Sequence, residues 1–425
     1  MSAPPADPTR ATERRGVRSA GPPARPADSW AGAGRVRSVA LGPFRLESGE
    51  TLPALDVAFR HDGLAPDRAP QVLVVHALTG SADAAGDWWE PLIGPGRAID
   101  TTRFGVLCAN LLGSCYGTTG PASIDLRTGE PFGASFPEVT PRDEARVQWL
   151  LLDRLGVDRL ALVTGGSLGG MVALEVALER PSAVDNALVI AAPAAIGALA
   201  IGWNHLQLEL VDRLGADGLD LARRLAMTTY RSELDFDLRF GRRREEDGRH
   251  SVVSYLEHQG RRLVDRFDPD AYRALVRVMD RHDIGRGRGG TRAALTALGA
   301  AGTHLFCLGI EGDILYGPAQ VQALVDEATA AGVAADYAEL RSIKGHDAFL
   351  VEWEQLTELI ARILEAAPRD RPRLERTAPW DDLVRHDRGA HDRTGHAVPA
   401  RRRFASTIAS PDARAAPASE HGGAT

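Results

Sequence analysis

Cysteine is scarce: Cys108, Cys115 and Cys307 are the only three in 425 residues. So few thiols, and an odd number of them, exclude a disulfide-stapled scaffold and point to reduced thiols in a cytoplasmic setting. Long apolar runs are also missing. No stretch is long enough to span a bilayer, which argues for a soluble chain with no membrane partner. Positive charge is not in excess. Fifty Lys and Arg stand against 57 Asp and Glu, a formal net charge of −7, which argues against a general nucleic-acid binder with a basic face. The first thirty residues are rich in Pro, Ala and Arg. They hold an arginine pair but no apolar core behind it, so a secretory signal is not expected. Asp7, Glu13 and the prolines speak against a transit peptide.

What is present is a hydrophobic fraction of 44%, enough for a sizeable core. Alternating apolar residues over "VRSVALGPFRLESGETLPALDVAFRHDG" predict a hairpin. "QVLVVHALTG" (71–80) and "FGVLCANLLGS" (104–114) read as strands buried on both faces. "PRDEARVQWLLLDRLGV" (141–157) has helical spacing and an acidic first turn. "RLALVTGGS", "GGMVALEVALERP" and "VDNALVIAAPA" continue as strand, helix and strand. This alternation predicts a mostly parallel central sheet with helices on both faces. From Ile196 to about Arg292 helical segments dominate. Strands return at "THLFCLGIEGD" (303–313) and "ADYAELRSIKG" (335–345), and "EWEQLTELIARILEAA" reads as a last helix. The expected division is a disordered N-terminal extension (1–35), a core in two parts (36–195 and 299–368), a helical lid insertion between them (196–298), and a disordered tail (369–425).

The chemistry centres on Gly165-Gly166-Ser167-Leu168-Gly169. It fits G-x-S-x-G between a strand and a helix, the context of the nucleophile elbow in α/β-hydrolase folds. A phosphate-binding glycine loop is the rival, but the P-loop lysine and the dinucleotide spacing are absent. A serine nucleophile needs a base and an orienting acid, in the chain order Ser, Asp or Glu, His. "GIEGDILYGP" supplies Asp313, with Glu311 as rival. "SIKGHDAFLVEW" supplies His346. Other histidines fit worse. His61 and His76 precede the serine, with His76 at a strand end and read as structural. His205, His250, His258 and His282 fall in the helical segment, His304 precedes the acid, and the rest lie in the tail. Cys115 as nucleophile has no base nearby in sequence. For the oxyanion hole the expected donors are the N–H of Leu168 and that of Leu78, with Thr79 as the neighbouring alternative. A triad says acyl or ester chemistry and no more, so an acyltransferase and an esterase or thioesterase both stand.

Other segments narrow this. The stretch from "HALTGSADAAGDWWEPLIG" through "GSCYGTTGP" to "FPEVTPRD", then "GGSLGGMVALEVA", "YRSELDFDLRFGR" and "GHDAFLVE", closely resembles the homoserine O-acetyltransferase family of α/β-hydrolase-fold acyltransferases, over about residues 40 to 365. The resemblance implies a two-step ping-pong transfer in methionine biosynthesis. Acetyl-CoA is the co-substrate, L-homoserine the acceptor, and no cofactor or metal is permanently bound. Ser167 takes the acyl group, His346 is the base and Asp313 orients it. The resemblance also makes Arg231 the residue that grips the acceptor carboxylate and Asp347 the one that takes its ammonium, and it implies a homodimer through the helical insertion. Asn204 and Tyr230 match positions that line the family's tunnel. Gln207-Leu208 departs from the family's Gln-Arg, and "AAPAAIGALAIGW" is unusually small and apolar. Close relatives acylate serine or use succinyl-CoA, and both remain alternatives.

Overall fold

The structure, a computed structural model, describes residues 34–366. The expected tail, and all but two residues of the expected N-terminal extension, lie outside the described residues. Eight strands form the main sheet: β1 (Val36–Arg45), β2 (Thr51–Gly63), β3 (Gln71–Val75), β4 (Gly105–Ala109), β5 (Leu160–Gly166), β6 (Asn186–Ile190), β7 (His304–Ile310) and β8 (Ala334–Leu340). Their order across the sheet is β1-β2-β4-β3-β5-β6-β7-β8. β1 and β2 form the expected hairpin, and β2 runs antiparallel to β4. All later pairings are parallel.

The central strands β3 to β7 are buried on both faces because helices cover both. The two-residue period sorts their side chains into two cores. Leu73, Val75, Leu107, Val163, Val189 and Leu305 face one layer. It holds α1 (Pro141–Leu155), α2 (Leu168–Glu179), α8 (Thr291–Ala301) and α9 (Pro318–Ala330). Val72, Val74, Cys108, Leu162, Leu188 and Phe306 face the other, with Trp89 and α10 (Trp353–Ala366). The apolar runs in the sequence overshoot the strands, since β3 stops at Val75 and β4 at Ala109. The residues that follow stay apolar because the loops themselves are buried, as Leu78, Leu111 and Leu112 are.

α1 starts where its sequence says. Thr140 accepts from the Asp143 N–H while the Asp143 carboxylate accepts from the Thr140 N–H, and Pro141 opens the first turn. Gly156, at φ 74°, ends it in the left-handed conformation.

The helical insertion carries α3 (Ala198–Leu214), α4 (Ala216–Tyr230), α5 (Glu233–Arg239), α6 (Ser251–Val264) and α7 (Pro269–Asp280). Its neck is tied by two backbone hydrogen bonds, Ile196 N–H to His282 O at 3.0 Å and Ile284 N–H to Ala194 O at 3.1 Å. This corrects the expected boundary at 298. The insertion closes at Ile284, and α8 packs on α2 and α9 as part of the core. Helical periodicity alone cannot tell a lid helix from a core helix, and the strand signal returns only after α8. Among the described residues no helix is long and apolar enough to cross a membrane.

Two glycines separate packing from propensity. A Cβ at Gly169 would lie 2.3 Å from the Val75 carbonyl oxygen, whereas at Gly202, inside α3, it would meet nothing within 4 Å. Gly169→Ala is expected to destabilise by about 1–3 kcal/mol through overpacking. Gly202→Ala is expected to stabilise by about 0.5–1 kcal/mol through helix propensity. Urea unfolding of the two variants checks both signs.

Candidate active site

The site is built at the carboxyl ends of β3, β5 and β7. Ser167 sits between β5 and α2 at φ 58°, ψ −126°, and Ala191 is the other described non-glycine residue at positive φ. Such a backbone costs about 1–3 kcal/mol and persists when its surroundings impose it. Here they do. The Ser167 N–H donates to Ile190 O at 2.9 Å. A Cβ at Gly165 would lie 2.6 Å from Val75 O, and one at Gly170 would lie 2.9 Å from Ile190 O. Strand and helix therefore touch backbone to backbone, and only glycine fits between them. Ser167 is 6% exposed at the start of α2. There the Leu168 N–H is one of the helix's first donors and has no intrahelical acceptor.

Gly166 brings in the next partner. A Cβ there would lie 2.5 Å from the Phe349 ring. Phe349 shares the 3-10 turn Gly345–Leu350 with His346, so the histidine segment packs directly on the elbow. The His346 ring is buried among Tyr230, Tyr316 and Phe349, at centroid distances of 5.8, 5.4 and 5.8 Å. Its Nδ1 lies 2.6 Å from Asp313 Oδ2. A carboxylate only accepts, so Nδ1 carries the proton. Asp313 Oδ1 accepts from the N–H groups of Leu315 and Tyr316 at 2.8 and 3.1 Å. Each of these contacts is an N–H donor to the carboxylate. Glu311, the rival acid, is exposed.

His346 Nε2 is buried and makes no hydrogen bond. Ser167 Oγ and this nitrogen are not bonded to each other. Burial lowers the basicity of the imidazole, but the charge and hydrogen bond of Asp313, with Asp347 beyond, outweigh burial and raise its pKa above 6.5. An imidazole held this way, with its second nitrogen unbonded, can take and return one proton.

Arg231 and Asp347 come together. Arg231 Nε lies 3.2 Å from Asp347 Oδ2, and both side chains are about 15% exposed. Two segments clamp them. Ser232 caps α5 by accepting the Asp235 N–H at 3.1 Å, and its hydroxyl donates to Ile343 O. A Cβ at Gly345, φ +66°, would lie 2.7 Å from the Ser232 nitrogen. Asp235, buried beneath, meets Lys344 Nζ at 3.1 Å, with Arg231 and Arg239 nearby at 3.8 and 3.7 Å. Asp235 was not singled out in the sequence, although Ser232-Glu233-Leu234-Asp235 carries the helix-start signature of a capping residue and an acid three positions on.

Leu78 is buried in the loop after β3. Its N–H has no acceptor among the described hydrogen bonds. The loop is tied down by the lid, since Arg266 Nη1 donates to Thr79 O and to Tyr116 Oη, each at 2.8 Å. Asn204 donates to Asp280 Oδ1 at 2.8 Å, and Gln207 accepts from the Tyr272 hydroxyl. Leu208 packs half-buried against the core. Burial raises the pKa of Cys115, which works against a thiolate there. Among the described residues no group of three or more His, Cys, Asp or Glu is arranged to hold a metal ion.

Comparison with known proteins follows this geometry. Residues 70–263 match the model of the alpha/beta hydrolase fold. Homoserine O-acetyltransferase of Moorella thermoacetica is 41% identical over 354 residues, covering 76% of this chain and 93% of that protein. The crystal structure of homoserine O-acetyltransferase from Staphylococcus aureus superposes with a TM-score of 0.66 at 29% identity, over 79% of this chain and 97% of the other. Esterase E22 shares the fold, with a TM-score of 0.72 at 23% identity over 78% and 99% of the two chains.

The His346 ring offers a direct check of the site's electrostatics. Its pKa, followed by NMR, is expected above 6.5. In Asp313→Asn it is expected to fall below 6.5, because burial then acts with the partner charge removed.

Proposed function

Because the chain belongs to the homoserine O-acetyltransferase family, we propose that it moves an acetyl group from acetyl-CoA to the hydroxyl of L-homoserine, with Ser167, His346 and Asp313 as the catalytic triad. The observation that carries the acceptor class is the Arg231–Asp347 pair beside His346. One cation and one anion, side by side and largely buried, match the carboxylate and ammonium of a single amino acid. The zwitterion replaces each half of the pair with its own opposite charge, so neither side chain is left buried and unpaired. The Arg231 guanidinium grips the carboxylate through parallel hydrogen bonds.

In the first step Ser167 Oγ attacks the thioester carbonyl as His346 Nε2 takes its proton. The carbonyl oxygen becomes an oxyanion facing the N–H groups of Leu78 and Leu168. The C–S bond breaks, the leaving sulfur takes the proton from His346, and acetyl-Ser167 remains. In the second step the homoserine hydroxyl gives its proton to Nε2 and attacks the acetyl carbon. Ser167 Oγ leaves with that proton. Asp313 stays ionised throughout and stabilises the imidazolium of each step. The unbonded Ser167 hydroxyl and His346 nitrogen must close on each other as substrate enters, as catalytic contacts commonly do. The product is an activated alcohol suited to sulfhydrylation in methionine synthesis.

The reading includes a homodimer through the helical insertion. Leu199 and Leu206, with Trp203 between them on one face of α3, support it. The two leucines are 64% and 49% exposed, a spacing that presents one apolar stripe.

CoA release from acetyl-CoA, followed with homoserine, L-serine or water as acceptor, tests the proposal. Homoserine is expected to give the fastest turnover. An equal rate in water alone would identify a hydrolase, and a preference for serine or succinyl-CoA would reassign the acceptor or donor. Ser167→Ala is expected to abolish turnover. Arg231→Ala is expected to leave the first CoA burst intact while slowing transfer to homoserine by about 10²-fold, the loss of one charge-assisted pair.

A further inference from the structure

We propose that His76 is a positioning residue for the oxyanion hole: its imidazole fixes the peptide unit whose N–H, that of Leu78, meets the reacting carbonyl oxygen beside that of Leu168. The inference rests on the mechanism above and adds a residue to it.

His76 directly follows β3 and is fully buried. Its ring makes two hydrogen bonds. The Leu111 N–H lies 3.0 Å from Nε2, and Nδ1 lies 2.8 Å from Ala77 O. A backbone N–H can only donate, so Nε2 accepts and carries no proton. The proton therefore sits on Nδ1, which donates to the Ala77 carbonyl. That carbonyl and the Leu78 N–H are the two ends of one peptide unit. The unit is planar and trans, so its C=O and N–H point in opposite directions, and no cis bond occurs among the described residues. Tethering the carbonyl sets where the N–H aims.

The rest of the neighbourhood completes the tether. The Gly80 N–H also donates to Ala77 O, at 2.9 Å. A Cβ at Gly80 would lie 2.9 Å from His76 Cβ, so the loop closes over the imidazole. The Leu111 donor is itself immobilised, because the next amide, Leu112 N–H, donates to the buried Glu144 Oε2 at 2.9 Å. The chain thus runs from Glu144 on α1, through two successive amides, to His76, to the Ala77–Leu78 peptide. The Leu78 N–H itself has no acceptor among the described hydrogen bonds. Burial lowers the His76 pKa to about 4, so the ring keeps the unprotonated nitrogen that this chain requires.

Single-turnover acylation by p-nitrophenyl acetate, and breakdown of the resulting acetyl-enzyme, test the inference in His76→Leu and His76→Asn. Both half-reactions pass through an oxyanion at the same donors. His76→Leu is therefore expected to slow acylation and deacylation alike, each by about 10²- to 10³-fold, the loss of one such donor, with little change in KM. His76→Asn, whose amide stands near the place of Nδ1 and donates to Ala77 O, is expected to recover most of the rate. A purely structural histidine would not split the two variants in this way. If His76→Leu does not fold, ¹⁵N NMR of the unsubstituted protein reads the same claim, with His76 expected as a neutral ring protonated on Nδ1. Unimpaired acylation in His76→Leu, equal impairment in His76→Asn, or a proton on Nε2 would each overturn the inference. Failure of the acceptor assignment is separately visible. A protein acylated by p-nitrophenyl acetate that never transfers to homoserine loses its proposed substrate, while the acylation rates still decide the role of His76.

Discussion

Everything at this site depends on how closely α2 lies over the end of β3. The positions of Gly165 and Gly169 both face the Val75 carbonyl oxygen, and a single added methyl carbon would fall 2.6 and 2.3 Å from it. Those distances are below any normal contact, so the approach exists only because no side chain is there. The approach in turn forces the strained backbone of Ser167. That backbone carries the hydroxyl out of the sheet while keeping it under the lid. α2 tolerates the position because it is buried along its whole length, from Leu168 to Leu178. A helix buried on all sides gains stability from packing everywhere, and this offsets the local strain.

Around this backbone contact, charge is arranged in two unlike ways. Between the lid neck and the core, Arg142 pairs with Glu47 at 2.6 Å and Arg288 with Glu175 at 2.7 Å, while Arg286 reaches Glu47 at 2.8 Å. These ions come from the β1–β2 turn, α1, α2 and the loop after the insertion, and they pair with one another. They hold the base of the lid. The Arg231–Asp347 pair differs. It borders His346 and is backed by Asp235, itself held by Lys344. An ion pair resting on a third buried charge is pinned from below and open to exchange from above. This difference in support separates a structural salt bridge from one that a substrate can replace.

The sequence made the skeleton of the site readable because its signals are local. The glycines around Ser167 and the acidic first turn of α1 each follow from a few consecutive positions, and the order serine, acid, histidine leads from the elbow to Asp313 and His346. Asp313 stood out from Glu311 by its step past the turn, and the structure separates them by burial. What escaped were relations between distant segments. The hydrogen bond from Leu111 to His76 spans 35 positions, and that from Lys344 to Asp235 spans 109. No periodicity encodes such partners. The lid's far boundary was misplaced for a related reason. α8 has the same helical pattern as its predecessors, and only the backbone tie between Ala194–Ile196 and His282–Ile284 shows where the insertion ends.

The same fold serves esterases, so the choice between transfer and hydrolysis must lie in what competes for the acyl group. Water is abundant, small and needs no anchoring. An acceptor beats it only if its hydroxyl is held in line with the acyl carbon, where well-oriented groups reach effective concentrations of about 10⁵–10⁸ M. Holding an amino acid at both charged ends removes most of its freedom. In the proposed mechanism this falls to Asp347, which adjoins the base in sequence, and to Arg231, which pairs with it within the clamp of Ser232 and Gly345. The aromatic rings of Tyr230, Tyr316 and Phe349 surround the imidazole on the remaining sides. In the proposed mechanism, then, the fold supplies the nucleophile, while a hold on both charged ends of the acceptor biases the acyl-enzyme toward an amino-acid hydroxyl over water.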